Sequence, residues 1–158
     1  MDEQPPDEAA GDAPARRRSL EHWIAVGIAG GTAAGLAAMA LLLAPDPRGY
    51  GTHQQLGLLP CLPMELWHLP CPGCGVTTSI CLALRGDPWG SVVNQPFGFL
   101  VALFLVGFVA WAAVAHLRGR DLGADVRRLR PERALKGLAV LGALAWAYKI
   151  AIVRGWIG

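Results

Sequence analysis

Between Trp23 and Ala44 the chain runs for 22 residues without a charge, and this stretch limits the available folds more than any other feature. At about 1.5 Å per residue, a helix of that length crosses a hydrocarbon core of roughly 30 Å. Pro45 and Pro47 end it. A cleavable signal peptide is the alternative, but its apolar part covers only about 7–15 residues, and no small-x-small cleavage site follows. Arg17-Arg18-Ser19-Leu20 has the look of a twin-arginine export signal, although arginines ahead of an apolar helix mostly set topology. The sequence predicts a retained helix.

Two more runs follow the same logic. Phe97 to Leu117 is uncharged apart from His116 at its end, and Leu135 to Val153 is interrupted by Lys149. Hydrophobic residues make up 53% of the chain and charged ones 16%, against about 25% charged in an ordinary soluble domain. The expected fold class is an all-α integral membrane protein with three transmembrane helices, at about 23–44, 97–117 and 135–153, plus one or two short interfacial or re-entrant helices. Residues 1–15 carry five acids and no base, so residues 1–19 read as a disordered cytoplasmic tail. Residues 20–158 read as a single membrane domain.

Arginine placement orients the spans. Arg16, Arg17 and Arg18 precede the first, and Arg118, Arg120, Arg127, Arg128, Arg130 and Arg133 follow the second, nine on one side. Arg48, Arg85 and Arg154 make three on the other. The positive-inside rule then places the N-terminus and the 118–133 loop in the cytoplasm, and segment 45–96 and the C-terminus outside. The loop's acids, Asp121, Asp125 and Glu132, favour anchoring by anionic lipid headgroups over nucleic-acid binding. The expected partner is the lipid bilayer, with no nucleic acid. Gly27, Gly31 and Gly35 share one helical face and suit close helix packing. That face reads first as packing within the bundle and second as a contact with another membrane protein or a second copy.

Segment 45–96 holds all four cysteines. Gly49 to Leu59 reads as loop, Val76 to Leu84 as a short interfacial or re-entrant helix, and Asp87-Pro88 as the N-cap and first turn of another, ending near Gln95-Pro96. Cys71-Pro72-Gly73-Cys74-Gly75 has the shape of a metal knuckle, because two-residue spacing lets both sulfurs reach one ion. A tetrahedral zinc site needs four N or S ligands, and Cys61 and His53 are the natural candidates for the rest. Cys81 lies seven residues along the next helix, about 10 Å from Cys74, and is a poor one. A disulfide of Cys61 with Cys71 or Cys74 suits an oxidising compartment. Thiol–disulfide exchange would use Cys71 and Cys74 at a helix start, but Pro and Gly stand in the opposite order from the thioredoxin-type Cys-Gly-Pro-Cys. The order of preference is metal, disulfide, exchange.

Gly51-Thr52-His53, Gln55-Leu56-Gly57-Leu58, Pro60-Cys61, Pro70-Cys71-Pro72-Gly73-Cys74-Gly75, Thr77-Thr78-Ser79, Arg85-Gly86 and Gln95-Pro96-Phe97-Gly98 together resemble the domain-of-unknown-function family 2752, small bacterial membrane proteins. The resemblance covers about residues 49 to 110. It implies no reaction; it singles out Cys61, Cys71, Cys74 and His53 as motif positions and implies a bacterial cytoplasmic membrane. Many members carry Arg where this chain has Thr78, and Thr-Gly where it has Trp67-His68.

Among other residues, His68 reads as interfacial, His22 and His116 as span-boundary residues, and most tryptophans as interfacial anchors. Lys149, toward the outward half of the third span, can stabilise a thiolate or bind an anion; the favoured reading is that its side chain snorkels to the headgroups. No phosphate loop, Ser-His-Asp pattern, paired acids or metalloprotease spacing is present. The expectation is a non-enzymatic structural or accessory membrane protein whose outward cysteine knuckle holds a metal ion, zinc by its ligands, or a disulfide. The alternative is a membrane thiol–disulfide oxidoreductase using Cys71 and Cys74.

Overall fold

In the computed structural model, which describes residues 18–127 and 131–156, every regular element is a helix. The tail before Arg18 and its expected disorder lie outside the described residues. Helix α1 (Leu20–Leu42) starts three residues before the uncharged run because Ser19 caps it, its side chain accepting the His22 N–H. It stops at Leu42 with Leu43 extended, ahead of Ala44, whose place before Pro45 disfavours helix. A short 3₁₀ helix (Thr52–Leu56) and α2 (Leu62–Trp67) follow, then α3 (Val76–Leu84), α4 (Pro88–Asn94) and α5 (Pro96–Leu117). Helix α6 (Leu122–Arg127) precedes α7 (Pro131–Val153). Among the described residues, three helices are long and apolar enough to cross a membrane: Leu20–Leu42, Pro96–Leu117 and Leu135–Val153.

Helix α3 falls where the apolar stretch predicted it, and α4 starts as expected, with the Asp87 carboxylate accepting the Gly90 N–H at 2.8 Å. The two form an antiparallel hairpin: the Ser91 hydroxyl donates to the Ser79 carbonyl at 2.7 Å, and the Asn94 amide donates to Gly75 O and Ser79 Oγ. The hairpin packs on α5 and on the end of α1, where Leu36, Ile80 and Ala102 make an apolar cluster. Arg85, closing α3, donates to the Leu43 carbonyl at 2.7 Å, a cation placed at the negative end of the α1 dipole.

At the opposite end α1, α5 and α6 meet over Ala29, Ala112, Ala115 and Leu122. The histidines there do more than mark a boundary. His22 is fully buried and stacks on His116 with ring centroids 5.3 Å apart. The Leu122 N–H donates to His22 Nδ1 (3.3 Å), so the His22 proton sits on Nε2, which donates to His116 Nδ1 (3.1 Å). Arg18 donates to the His116 carbonyl (3.1 Å), and Ser19 Oγ donates to Asp121 (2.9 Å).

The glycine stripe of α1 corrects an expectation. A Cβ on Gly27, Gly31 or Gly35 meets nothing within 4 Å among the described residues. The packed face of α1 is built on Ala25, Val26, Ala29 and Leu36 instead. The stripe therefore faces away from the bundle.

Candidate metal centre

The cysteine site is assembled by two tight reversals. Cys61 is the N-cap of α2, its carbonyl accepting the N–H groups of Met64 (2.9 Å) and Glu65 (3.0 Å). Pro63 sits in the first turn, where a missing N–H costs nothing. Helix α2 ends after six residues because His68 turns left-handed, φ 51°, and donates its N–H to Met64 O, while Leu69 N–H reaches Pro63 O. That reversal returns the chain to Cys71. A second turn, Cys74 N–H to Cys71 O at 2.9 Å, brings the knuckle sulfurs together, and Gly75 at φ 88° leads into α3.

Cys71 Sγ lies 3.4 Å from Cys74 Sγ, and Cys74 Sγ lies 3.3 Å from Cys61 Sγ. All three sulfurs fall within 4.8 Å of one another, with Cys74 buried and the others half-buried. All are free thiols. Sulfurs about 2.3 Å from a tetrahedral zinc stand roughly 3.8 Å apart, so the two close pairs would open by a few tenths of an ångström around an ion.

The other residues singled out by the sequence fall elsewhere. His53 stands outside the sulfur group; its Nε2 donates to the Leu59 carbonyl at 3.2 Å. His68 is exposed and serves as the α2 C-cap. Cys81 is buried in α3 with its thiol toward the Met39 carbonyl on α1, 4.0 Å away, apart from the triad as its helical spacing predicts.

The environment separates the thiols. Burial, reinforced by the hydrogen bonds that tie it to Cys61 and Cys71, pushes Cys74 up to about 12. Burial also acts to raise Cys61, but the bonds it receives from the Cys74 thiol and the Met64 N–H outweigh this and hold it below its ordinary value. A free thiol at Cys74 is thus a poor nucleophile near neutral pH, whereas an ion bound by all three sulfurs would hold them as thiolates.

Helix α7 grips this site through residues whose roles the sequence does not display. Trp146 Nε1 donates to the carbonyl of Pro70, the residue before Cys71 (2.8 Å). Tyr148 donates to Val93 O (2.8 Å). Lys149 corrects the snorkelling expectation: it is 2% exposed, and its ammonium donates to Gly49 O (3.1 Å), Asn94 O (3.1 Å) and Asn94 Oδ1 (2.8 Å). Three donors meeting three acceptors replace the water that a surface-seeking lysine would seek. A Cβ on Gly75 would lie 3.1 Å from Lys149 Nζ and 2.8 Å from the Gly49 carbonyl. Glycine here serves both the backbone turn and the close approach. Thr78 lies next to this region, buried, its Oγ1 2.8 Å from Thr52 Oγ1, which accepts the Asp46 N–H.

Residues 61–109 match the model of the family described as protein of unknown function DUF2752. The resemblance holds. The match opens on Cys61, takes in the knuckle, α3, α4 and the first part of α5, and omits His53 and α7. No curated protein and no solved structure matches the chain.

Proposed function

We propose that this is a non-enzymatic accessory protein of a bacterial cytoplasmic membrane that binds one divalent metal ion, zinc by ligand preference, through Cys61, Cys71 and Cys74. The arginine asymmetry supports an outward-facing site. The observation that carries the reading is the convergence of three sulfurs within 4.8 Å. A disulfide uses two thiols and leaves the third without a purpose; a thiophilic ion uses all three. The fourth position is left to water, since His53 holds its ring against Leu59. The bound ion would tie α2 to the start of α3 and so fix the outward hairpin on α1 and α5.

The 3.4 Å approach of Cys71 to Cys74 favours thiol–disulfide exchange as the second reading. The raised pKa of Cys74 counts against it, because the thiolate is the attacking species. Metal analysis of detergent-purified protein separates the two. The expected result is about one zinc per chain, falling to background in Cys74→Ser. Metal-free protein in which two cysteines resist alkylation until reduced would move the assignment to the disulfide or exchange reading. In protein stripped of metal under reducing conditions, Cys61 is expected to be alkylated ahead of Cys74, as their displaced pKa values require.

A further inference from the structure

Lys149 is a buried ammonium whose three hydrogen-bond partners are all neutral carbonyl oxygens. Among the described residues no carboxylate pairs with Lys149; the ion pairs of Arg48 with Asp46 and of Arg120 with Asp125 lie elsewhere. Carbonyl dipoles satisfy its N–H groups but do not neutralise its charge, and an ammonium removed from water calls for an opposing charge nearby. The closest source along the backbone is the cysteine triad. The ammonium sits against Gly75, the residue that follows Cys74, closely enough that a single added methyl would touch it. On the other side of the knuckle, Trp146 of the same helix holds the Pro70 carbonyl. Helix α7 thus brackets Cys71–Cys74, and the end nearest Cys74 carries the charge.

We infer that Lys149 is the counter-charge of the cysteine centre, a positioning residue that favours the thiolate form of the triad when a divalent ion binds. This rests on the metal reading above. Three thiols that bind a divalent ion release three protons and leave one net negative charge on the complex; the ammonium beside Gly75 brings the total to zero. In a half-buried site at a bilayer, that neutrality favours loading, because charge interactions are weakly screened there. The carbonyls of Gly49 and Asn94 hold the ammonium in place without competing for its charge.

The test uses full-length protein in detergent with Co²⁺ as the probe, since thiolate ligation gives it an intense charge-transfer absorption. Affinity is measured for wild type, Lys149→Met, Lys149→Arg and Trp146→Phe, alongside helix content and thermal unfolding of the metal-free proteins. The expected result is at least about a tenfold loss of affinity in Lys149→Met with an unchanged cobalt spectrum, a loss of less than about threefold in Lys149→Arg, and little change in Trp146→Phe. Should Lys149→Met fail to fold, Lys149→Arg decides: near-wild-type affinity upholds the inference, and a tenfold loss in a folded Lys149→Arg overturns it. Equal affinity in wild type and a folded Lys149→Met overturns this inference alone. Wild-type protein that binds no cobalt overturns the metal reading together with it.

Discussion

At the histidine end, α1, α5 and α6 meet over side chains that bond to one another: His22 to His116, and Ser19 to Asp121. At the cysteine end, α7 meets the hairpin and its flanking loops over main-chain carbonyls of Gly49, Pro70, Val93 and Asn94, each taken by one α7 donor. The first arrangement depends on the identity of both partners. The second depends mostly on one side chain and on the path of the backbone it grips, with Asn94 Oδ1 the side-chain acceptor among them. The histidine end is therefore vulnerable to loss of a ring, and the cysteine end to a change in a glycine.

The largest effect is expected from Gly75→Ala. An alanine there must hold φ 88° and place a methyl 2.8 Å from the Gly49 carbonyl and 3.1 Å from Lys149. Backbone strain and overpacking together destabilise the cysteine end by roughly 3 kcal/mol or more. Thermal unfolding in detergent reads this directly, and an unchanged transition would remove the contrast. His22→Phe comes next. It keeps a ring of similar size but leaves the buried Leu122 N–H without its partner and removes the His22 bond to His116 Nδ1, a cost of about 1–3 kcal/mol. Cysteine alkylation rates should stay at wild-type values, and a parallel rise would show that the two ends are coupled.

The smallest effect concerns pH. The hydrogen bond from Arg48 holds the Asp46 carboxyl below its ordinary 3.8 despite some burial. A depressed carboxylate stabilises fully above its unfolded value and loses that contribution as pH falls through the folded one. Acidification below about pH 3.8 should therefore lower the thermal transition of wild type slightly, and that of Asp46→Asn less. A difference as large as that in Gly75→Ala would mean that this exposed pair holds the loop far more firmly than surface pairs do.

The three long helices were legible because a bilayer demands an uncharged run of known length, and their ends lie within a few residues of the charged and proline boundaries. Helix α3 was legible as an apolar stretch too short to span, and α4 because Asp87-Pro88 is a start signal in itself. Helix α2 was not: six residues make fewer than two turns, too few for periodicity, and only Pro63 marked its start. The triad was readable from Cys-x-x-Cys with Cys61 upstream. The partners of Lys149 were not, since two of its three acceptors are the main-chain carbonyls of Gly49 and Asn94, and a main-chain acceptor leaves no mark on residue type. His22 and His116 stand 94 positions apart, and only the packing of α1 on α5 discloses that they touch.

The hooks of α7 also set an order of events during synthesis. Trp146 reaches back 76 positions, Tyr148 55 and Lys149 100. A ribosome adding about 5–20 residues per second takes roughly 5–20 s to travel from Gly49 to Lys149. For the later part of that interval, roughly 4–15 s from Cys74 to Lys149, the three thiols exist without the helix that clamps them. The cysteine end is thus the last part of the bundle to close, and capture of an ion before α7 arrives would give that helix a finished surface on which to dock.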